Sequence, residues 1–357
     1  MLRHIRLIFT ALLLATSLTA CSKGGGLVDS NAVRGSGIVK EETRSVSGIN
    51  GASLETIGDL YITLGDKEEL KIKAEDNLLP YFETLVINGV LHIQTQDNSN
   101  LQPTQPVGFY LTVTALTQVQ ATSMGNIHAP DLEADNLSIS VSGSGDVMTG
   151  EIKATQVSLD LSSMGNLEIK KLTSDSLKAD INGSGDLVIQ TGEVREQSLT
   201  LSSMGSYLAG NLNSPGAKRD SSAGTIKVTV NGSGGAEMGQ LTCEAASIAI
   251  HSMGCVKIKS LDASTLVVES GGSGDLEITG GRTDEQTVRL TSMGSYMAID
   301  METIQADVAI SGSGSGTIWV NDYLKVVLSG MGDLRYAGDP TVQKVESSSG
   351  EVEHIEN

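Results

Sequence analysis

The chain has 357 residues, of which 41 are Gly, 6 are Pro and 3 are Cys, and its formal net charge is −19. The glycines follow no three-residue period, which excludes collagen, and a hydrophobic content of 39% argues against a disordered chain. The acidic balance has the wrong sign for nucleic acid or an anionic lipid surface, and three Cys are too few for a disulfide framework. Aromatic residues make up only 3% of the chain, which hints at an aliphatic core.

The first 20 residues have the pattern of an export signal. Arg3 and Arg6 precede an apolar stretch over residues 7–15, and small residues follow it. The apolar stretch is too short to span a bilayer comfortably. We therefore predict a signal peptide over residues 1–20.

The residues around Cys21 resemble a bacterial lipobox. In Leu18-Thr19-Ala20-Cys21 the Cys would become the lipidated first residue of the mature protein. The alternative is an ordinary cleavage site followed by a chance Cys. Ser22, which is not Asp, favours the outer membrane of a Gram-negative bacterium. The Gly-rich stretch that follows predicts a flexible tether over residues 21–45.

Two triplets alternate along the chain with a fixed step. Ser-Met-Gly occurs five times, with Gly-Met-Gly as a sixth variant, and Gly-Ser-Gly occurs between them. The step between triplets is 20 residues, apart from one step of 29 and a final step of 18. Such self-similarity is the signature of a repeat architecture. The central residues of the triplets are 124, 144, 164, 184, 204, 233, 253, 273, 293, 313 and 331.

The apolar residues around each triplet alternate as they do in strands. They lie three and five positions before a centre, as at Ile139 and Val141, and often three and five positions after it, as at Leu167 and Ile169. Gly in the triplet supplies the backbone freedom for a tight corner. Propeller blades usually carry aromatic signatures, which this chain lacks. The sequence therefore predicts an all-β solenoid, a parallel β-helix of about eleven coils and roughly 50 Å in length.

The ends of the rod need covers, because exposed end strands are open edges. Residues 76–86 combine candidate capping residues with an apolar run and predict a short N-terminal capping helix. The chain beyond residue 340 is acidic and Ser-rich, so we expect a frayed acidic tail over residues 340–357. The β-helix itself is expected over residues 46–339.

Five short segments follow one another closely before the triplets begin: Ser47–Asn50, Ile57–Ile62, Leu70–Ala74, Asp76–Leu79 and Gly89–Ile93. Together with the Gly-Ser-Gly-Asp repeats, they resemble the head GIN domain family, bacterial envelope proteins called putative auto-transporter adhesins. The resemblance runs from about residue 46 to at least residue 336. It implies a right-handed β-helix and no catalytic residues. The chain has more coils than one such domain needs. This excess also suggests two tandem units with a boundary near residues 211–220.

The Met residues at the corner centres raise two hypotheses. A ladder of thioethers is a soft surface of the kind that holds Cu(I). Thioethers on every second coil would lie about 9.6 Å apart, too far for two of them to share one ion. The favoured interpretation is packing, in which a large adaptable side chain stacks on a small Ser at every step. The residues are Met124, Met164, Met204, Met253, Met293 and Met331.

Asp or Asn often stands two positions after the centre, as at Asn126, Asp146, Asn166 and Asp186. The spacing superficially resembles a calcium-binding Gly-Gly-x-Gly-x-Asp repeat, but one Asp per 40 residues is too sparse for such sites. We favour a ladder of turn-stabilising side chains that bond to local backbone groups.

Two cysteines lie within one repeat. Cys243 and Cys255 would be able to pair in an oxidising periplasm. Their register places Cys243 in a connecting turn and Cys255 after a corner, so the pairing stays open. A zinc site that adds His251 is the less favoured alternative to a simple strand His. We predict no metal and no cofactor.

A polysaccharide-modifying β-helix enzyme needs carboxylates grouped on one face, and no cluster breaks the repeat in that way. No phosphate-binding Gly-Lys-Ser/Thr loop occurs. No catalytic residue is therefore predicted. The candidate binding surface combines Lys218 and Arg219, two adjacent cations in the nine-residue insertion, with the rings of Tyr207, Tyr296 and Trp319. The simpler interpretation is a neutral surface insertion and two isolated Tyr residues that fill the core.

These observations predict a non-enzymatic, lipid-anchored envelope protein whose β-helical surface serves adhesion or binding. The expected partners are the membrane, through the lipid, and an envelope protein or a glycan. One alternative is a structural or assembly factor that forms homo-oligomers. A polysaccharide-modifying enzyme is the third and least favoured reading.

Overall fold

The computed structural model describes residues 32–97, 99–213, 224–346 and 349–356. They form an all-β solenoid of about 11 turns with ~20 residues per turn. The signal peptide and Cys21 lie outside the described residues. No helix in the described ranges has the length and apolar character needed to cross a bilayer.

The N-terminal part contains short strands. They are β1 (Ala32–Arg34), β2 (Val39–Arg44), β3 (Gly51–Glu55), β4 (Asp59–Leu64), β5 (Glu69–Glu75), β6 (Phe82–Ile87), β7 (Val90–Thr95), β8 (Asn100–Gln102), β9 (Gly108–Val113), β10 (Gln118–Ala121) and β11 (Ile127–His128).

The regular coils follow. Their strands are β12 (Leu132–Val141), β13 (Val147–Leu161), β14 (Leu167–Ile181), β15 (Leu187–Leu201), β16 (Tyr207–Asn213), β17 (Thr225–Val230), β18 (Ala236–Ile250), β19 (Val256–Ser270), β20 (Leu276–Ile278), β21 (Gly281–Leu290), β22 (Tyr296–Ile310), β23 (Gly316–Leu328), β24 (Leu334–Ala337), β25 (Thr341–Glu346) and β26 (Val352–His354).

In the longest regular coils a 15-residue strand is followed by a tight corner, as in β13, β14, β15, β18, β19 and β22. Between β13 and β14 every paired residue faces the residue 20 positions later, as Val147 faces Leu167. The pairing skips Gly150 and Thr155, which divides the coil into three straight runs. Side chains alternate between the interior and the solvent, and the predicted inward residues, such as Ile139 and Val141, are buried. The predicted solenoid of 20-residue coils is confirmed.

The N-terminal end is closed by antiparallel strands, and the helix predicted over residues 76–86 is wrong. Only Leu79–Tyr81 is helical, as a single 3-10 turn, and β6 begins directly after it. Asn88 and Gly89 both have positive φ and form a two-residue hairpin turn that pairs β6 with β7. On the neighbouring face β2, β5 and β9 also pair antiparallel.

The solenoid extends beyond the boundaries that the sequence predicted. In the expected tether, β1 pairs with β8 and β2 pairs with β5. In the expected frayed tail, β25 and β26 continue the ladders of β23 and β24. Both expectations are corrected, because strand pairing in these segments covers ends of the solenoid that would otherwise be open.

The 29-residue step does not interrupt the ladders. β15 pairs with β17, and β16 pairs with β18, so the coils on either side of the insertion stay in register. Residues 214–223, which include Lys218 and Arg219, lie outside the described residues.

Candidate functional site

The corners stack closely because Gly occupies their inward position. A Cβ atom at Gly145 would lie 2.0 Å from the carbonyl oxygen of Gly125, one coil earlier. A Cβ atom at Gly165 would lie 2.1 Å from the carbonyl oxygen of Gly145. Real contacts of that length do not occur, so these corners exclude any larger residue.

Beside most corners runs a ladder of Asp, Asn and Ser residues, which is interrupted at Gly235 and Cys255. The backbone N–H of Asp146 donates to Oδ1 of Asn126 at 2.9 Å, and the N–H of Asn166 donates to Oδ1 of Asp146 at 2.8 Å. Asp186 donates in the same way to Asn166 at 2.8 Å. The bonds join successive coils rather than residues close in sequence. In the part of the chain that the structure describes, no group of three or more His, Cys, Asp and Glu residues is arranged to hold a metal ion.

The methionines at the corner centres point into solvent. Their exposed fractions are between 65% and 71%. The prediction that they pack as large side chains within the stack is therefore corrected. We call the edge formed by Met124, Met164, Met204, Met253, Met293 and Met331, with the Ser centres between them, the methionine ridge.

The methionine ridge carries no formal charge. From two positions before each centre to one position after it, the eleven corners contain no Lys, Arg, Asp or Glu, although 19% of the chain is charged. The position two before the centre holds small or neutral polar residues such as Thr122, Ser142 and Asn182. A neutral, apolar-tipped edge thus runs along an acidic rod.

All three aromatic rings of the predicted binding surface lie within the described residues. Tyr207 and Tyr296 are 2% and 1% exposed, so both belong to the core and are corrected as surface residues. Burial raises the pKa of both hydroxyls, which stay neutral. Trp319 is half-buried, and its Nε1 donates to Oδ1 of Asn321 at 2.9 Å.

An exposed aromatic ladder lies instead near the N-terminal end, where sequence reasoning did not place one. Tyr110, Tyr61 and His128 stand opposite one another on the adjacent strands β9, β4 and β11. The ring centroids of Tyr61 and Tyr110 are 5.2 Å apart, and those of Tyr61 and His128 are 4.7 Å apart, both stacked. Tyr61 is 37% exposed and Tyr110 is 43% exposed. We call these three residues the aromatic ladder.

A cleft of about 330 Å³ opens beside the aromatic ladder. Both Tyr61 and Tyr110 line it, together with Asp59, Lys73 and Gln105. The cleft therefore offers two ring surfaces, a carboxylate, an ammonium group and an amide within one small volume. Aromatic rings surrounded by polar groups are typical of a site that binds a polar ligand with apolar faces.

The environment of the Tyr61 hydroxyl favours its neutral form. Burial, the charge of Asp59 and the neighbouring Tyr110 all raise the pKa of Tyr61. Asp59 in turn accepts the backbone N–H of Asn126 at 3.0 Å. Asp59 is thus part of the same ladder of inter-coil bonds that runs along the corners.

The two cysteines do not form a disulfide. Cys243 is buried and Cys255 is exposed. They lie on opposite sides of the solenoid wall, which explains why proximity in sequence does not bring the sulfur atoms together. His251 is exposed.

The repeated coils and the surface they present define a β-solenoid protein, and comparison with known proteins gives its family. The family model described as "Putative auto-transporter adhesin, head GIN domain" matches residues 50–238 and 226–340. The chain therefore belongs to the head GIN domain family. No curated protein matches the chain.

Several solved structures resemble the chain at low identity. A putative adhesin from Parabacteroides distasonis is 16% identical, with 91% of this chain and 100% of that chain covered and a TM-score of 0.33. A putative adhesin from Parabacteroides merdae is 18% identical, with the same coverage and a TM-score of 0.30. A putative lipid binding protein from Parabacteroides distasonis is 17% identical, with 91% and 99% covered and a TM-score of 0.31. Scores this low carry no argument about function.

Proposed function

We propose that this protein is a non-enzymatic adhesin of the cell envelope, anchored through a lipid on Cys21, and that it binds glycans in the cleft beside the aromatic ladder. The observation that carries the proposal is the pair of exposed, stacked rings of Tyr61 and Tyr110 at the rim of that cleft. The family name supports the same general role, since it describes adhesins.

The chemistry of the cleft suits a sugar. A pyranose ring has a flat C–H face, which packs on an aromatic ring, and hydroxyl groups around its edge, which need donors and acceptors. Asp59 accepts, Lys73 donates, and Gln105 does both. The rings are pre-positioned by their neighbours, so binding would cost little side-chain entropy.

The alternative of a polysaccharide-modifying enzyme finds less support in this cleft. Glycoside hydrolysis uses two carboxyl groups on either side of the scissile bond. Asp59 is the carboxylate of the cleft lining, and it accepts the backbone N–H of Asn126. Binding without cleavage is the activity that this set of side chains favours.

A glycan array tests the proposal. The probe is the full chain with Cys21→Ala, fluorescently labelled, compared with the same chain carrying Tyr61→Ala and Tyr110→Ala. The matched control is Tyr336→Ala, because Tyr336 also stacks on a His ring, His354, at 5.0 Å but at the opposite end of the solenoid. We expect binding by the parent and the control and loss of binding in the double variant. Equal binding by all three would overturn the cleft as the site.

Anchoring is tested separately. Wild-type protein should fractionate with membranes, and Cys21→Ala should release it, while Cys255→Ala, an exposed thiol on the solenoid, should not. Continued membrane retention of Cys21→Ala would contradict the lipid anchor without touching the proposal for the cleft.

A further inference from the structure

We infer that the methionine ridge is a self-association surface, on which a second copy of this chain packs antiparallel with its ridge displaced by one coil. The ridge and the glycan cleft involve different residues, so this inference stands apart from the proposed function. It uses six methionine side chains that are exposed.

The composition of the ridge is that of an interface core. Such cores are depleted in charged residues and enriched in Met relative to the rest of a protein surface. The eleven corners contain no formal charge over four successive positions each, in a chain with a net charge of −19. Two copies of so acidic a rod would repel each other across most other faces, and the ridge is the edge where that repulsion is weakest.

The spacing of the ridge is self-complementary. Met and Ser alternate at every coil, about 4.8 Å apart, so a second ridge shifted by one coil places each Met over a Ser of its partner. The flexible thioether fills the space that the small Ser leaves. Without the shift, Met would meet Met and Ser would meet Ser, which leaves gaps at every second coil.

The antiparallel arrangement follows from closure. A parallel pair displaced by one coil would place its two copies in different environments, whereas an antiparallel pair is related by a two-fold axis, so both copies use the same surface in the same way and the pair is closed. The one-coil shift can run toward either end of the solenoid. In both cases the two-fold axis passes beside Ser233. In one shift the Ser233 residues lie opposite Met204, and in the other they lie opposite Met253.

The size of the ridge predicts a reversible pair. Ten coil steps at about 4.8 Å give a length of about 48 Å, and a width of about 10 Å gives roughly 500 Å² on each partner. That total is at the lower end of specific interfaces. We therefore expect a concentration-dependent monomer–dimer equilibrium rather than a permanent dimer.

Sedimentation velocity over a concentration series tests the surface. The protein is the predicted mature chain from Ser22 onward, so that neither the lipid nor the apolar stretch over residues 7–15 drives association. Replacing the six ridge methionines by Ser should lower the association constant at least tenfold, and replacing them by Leu should preserve it. Met148→Ser with Met297→Ser is the matched control, since these two methionines lie on a different face, and it should associate like the parent.

Cross-linking tests the register. On a Cys255→Ser background, Ser233→Cys should join two copies through a short bismaleimide, because the two sites lie one coil apart. Ser144→Cys should not, because its two copies would lie at least seven coils, or roughly 34 Å, apart. A parent that stays monomeric at every concentration overturns the inference, and so does a six-Ser variant that associates like the parent. Efficient cross-linking through Ser144→Cys overturns the antiparallel register.

Discussion

Oδ1 of Asp146 lies 2.8 Å from the backbone nitrogen of Asn166, the residue directly beside it in the next coil. The side-chain Nδ2 of Asn166 donates to the same oxygen at 3.0 Å. The corner cannot complete a regular strand ladder, and this carboxylate takes the place of the missing backbone acceptor. Side chains at this position therefore hydrogen-bond one coil to the next, and we call each such link a tie.

Removing one tie should weaken the stack measurably. We expect Asp146→Ala to lower the free energy of unfolding by about 1–2 kcal/mol, because the N–H of Asn166 loses its charged acceptor. Asp146→Asn keeps an Oδ1 acceptor and should cost less than Asp146→Ala. Chemical denaturation measures the change, with Asp135→Ala at an exposed position of β12 as the control. Equal stability of Asp146→Ala and the control would show that the tie contributes nothing.

The inward glycines of the corners should tolerate no side chain. In Gly145→Ala the new methyl group would meet the carbonyl oxygen of Gly125 at 2.0 Å, so two coils must separate, at a cost of about 3 kcal/mol. Gly271 is the matched control, because its nearest atoms lie 3.7 Å from an added Cβ. Gly271→Ala should leave the melting temperature unchanged or raise it slightly. A Gly145→Ala protein as stable as Gly271→Ala would contradict the corner geometry.

The N-terminal end should lose stability in acid through Glu75. Burial alone would raise the pKa of this carboxyl, but hydrogen bonds from Thr104, Gly37 and Gln105 outweigh it and lower the pKa below 4.5. The N–H of Gly37 lies 2.6 Å from Oε1, and the N–H of Thr104 lies 2.8 Å from Oε2. A lowered carboxyl pKa stabilises the fold above the unfolded-state pKa, and that stability is lost as the pH falls through the lowered value.

The variant Glu75→Gln tests this coupling. It should be less stable than wild type at neutral pH, and the difference in melting temperature should shrink as the pH falls below about 4.5. Glu133→Gln, at an exposed position, controls for the loss of one acidic charge. A difference that stays constant down to the acid transition would argue that Glu75 contributes through packing and not through its charge.

Tyr296 should prove to be a structural residue. Its hydroxyl donates to Oε1 of Gln286 at 2.9 Å, and Nε2 of Gln286 donates to Oγ1 of Thr303 at 2.9 Å, all within the core. Tyr296→Phe removes the donor and leaves a buried acceptor, so we expect a loss of about 1–3 kcal/mol. Thermal unfolding measures it against Tyr336→Phe, whose ring is partly exposed. An unchanged melting temperature for Tyr296→Phe would show that the hydroxyl does not contribute to the stability of this hydrogen-bond network.

The repeat predicted the 20-residue coil, and its odd and even positions also determine which side chains point inward. Buried residues such as Val141 and Leu167 lie at odd distances from the centre at 144 or 164, and strand alternation carries through the corner. A residue at the centre itself must then point outward, as Met164 does. By the same parity Tyr207, three positions after Met204, must point inward.

The ends of the solenoid were harder to predict for a physical reason. Residues 76–86 lie where coils stop, so no neighbour repeats their pattern, and the hairpin signal of Asn88-Gly89 decides the structure locally. The aromatic ladder was missed because Thr56-Ile57-Gly58, the corner that sets its frame, does not match the Met or Ser triplets. Tyr61 is far in sequence from Tyr110 and His128, and only the irregular register at this end brings them together.

A titration tests directly whether Tyr61 and Tyr110 hold a glycan. The strongest ligand from the array is titrated into the Cys21→Ala chain and into its Tyr61→Ala, Tyr110→Ala and Tyr336→Ala variants, each confirmed to be folded. Truncation of an aromatic anchor typically costs about 2 kcal/mol, so we expect Kd to rise at least about tenfold for Tyr61→Ala and Tyr110→Ala and to stay unchanged for Tyr336→Ala. An unchanged Kd in both cleft variants would contradict the claim.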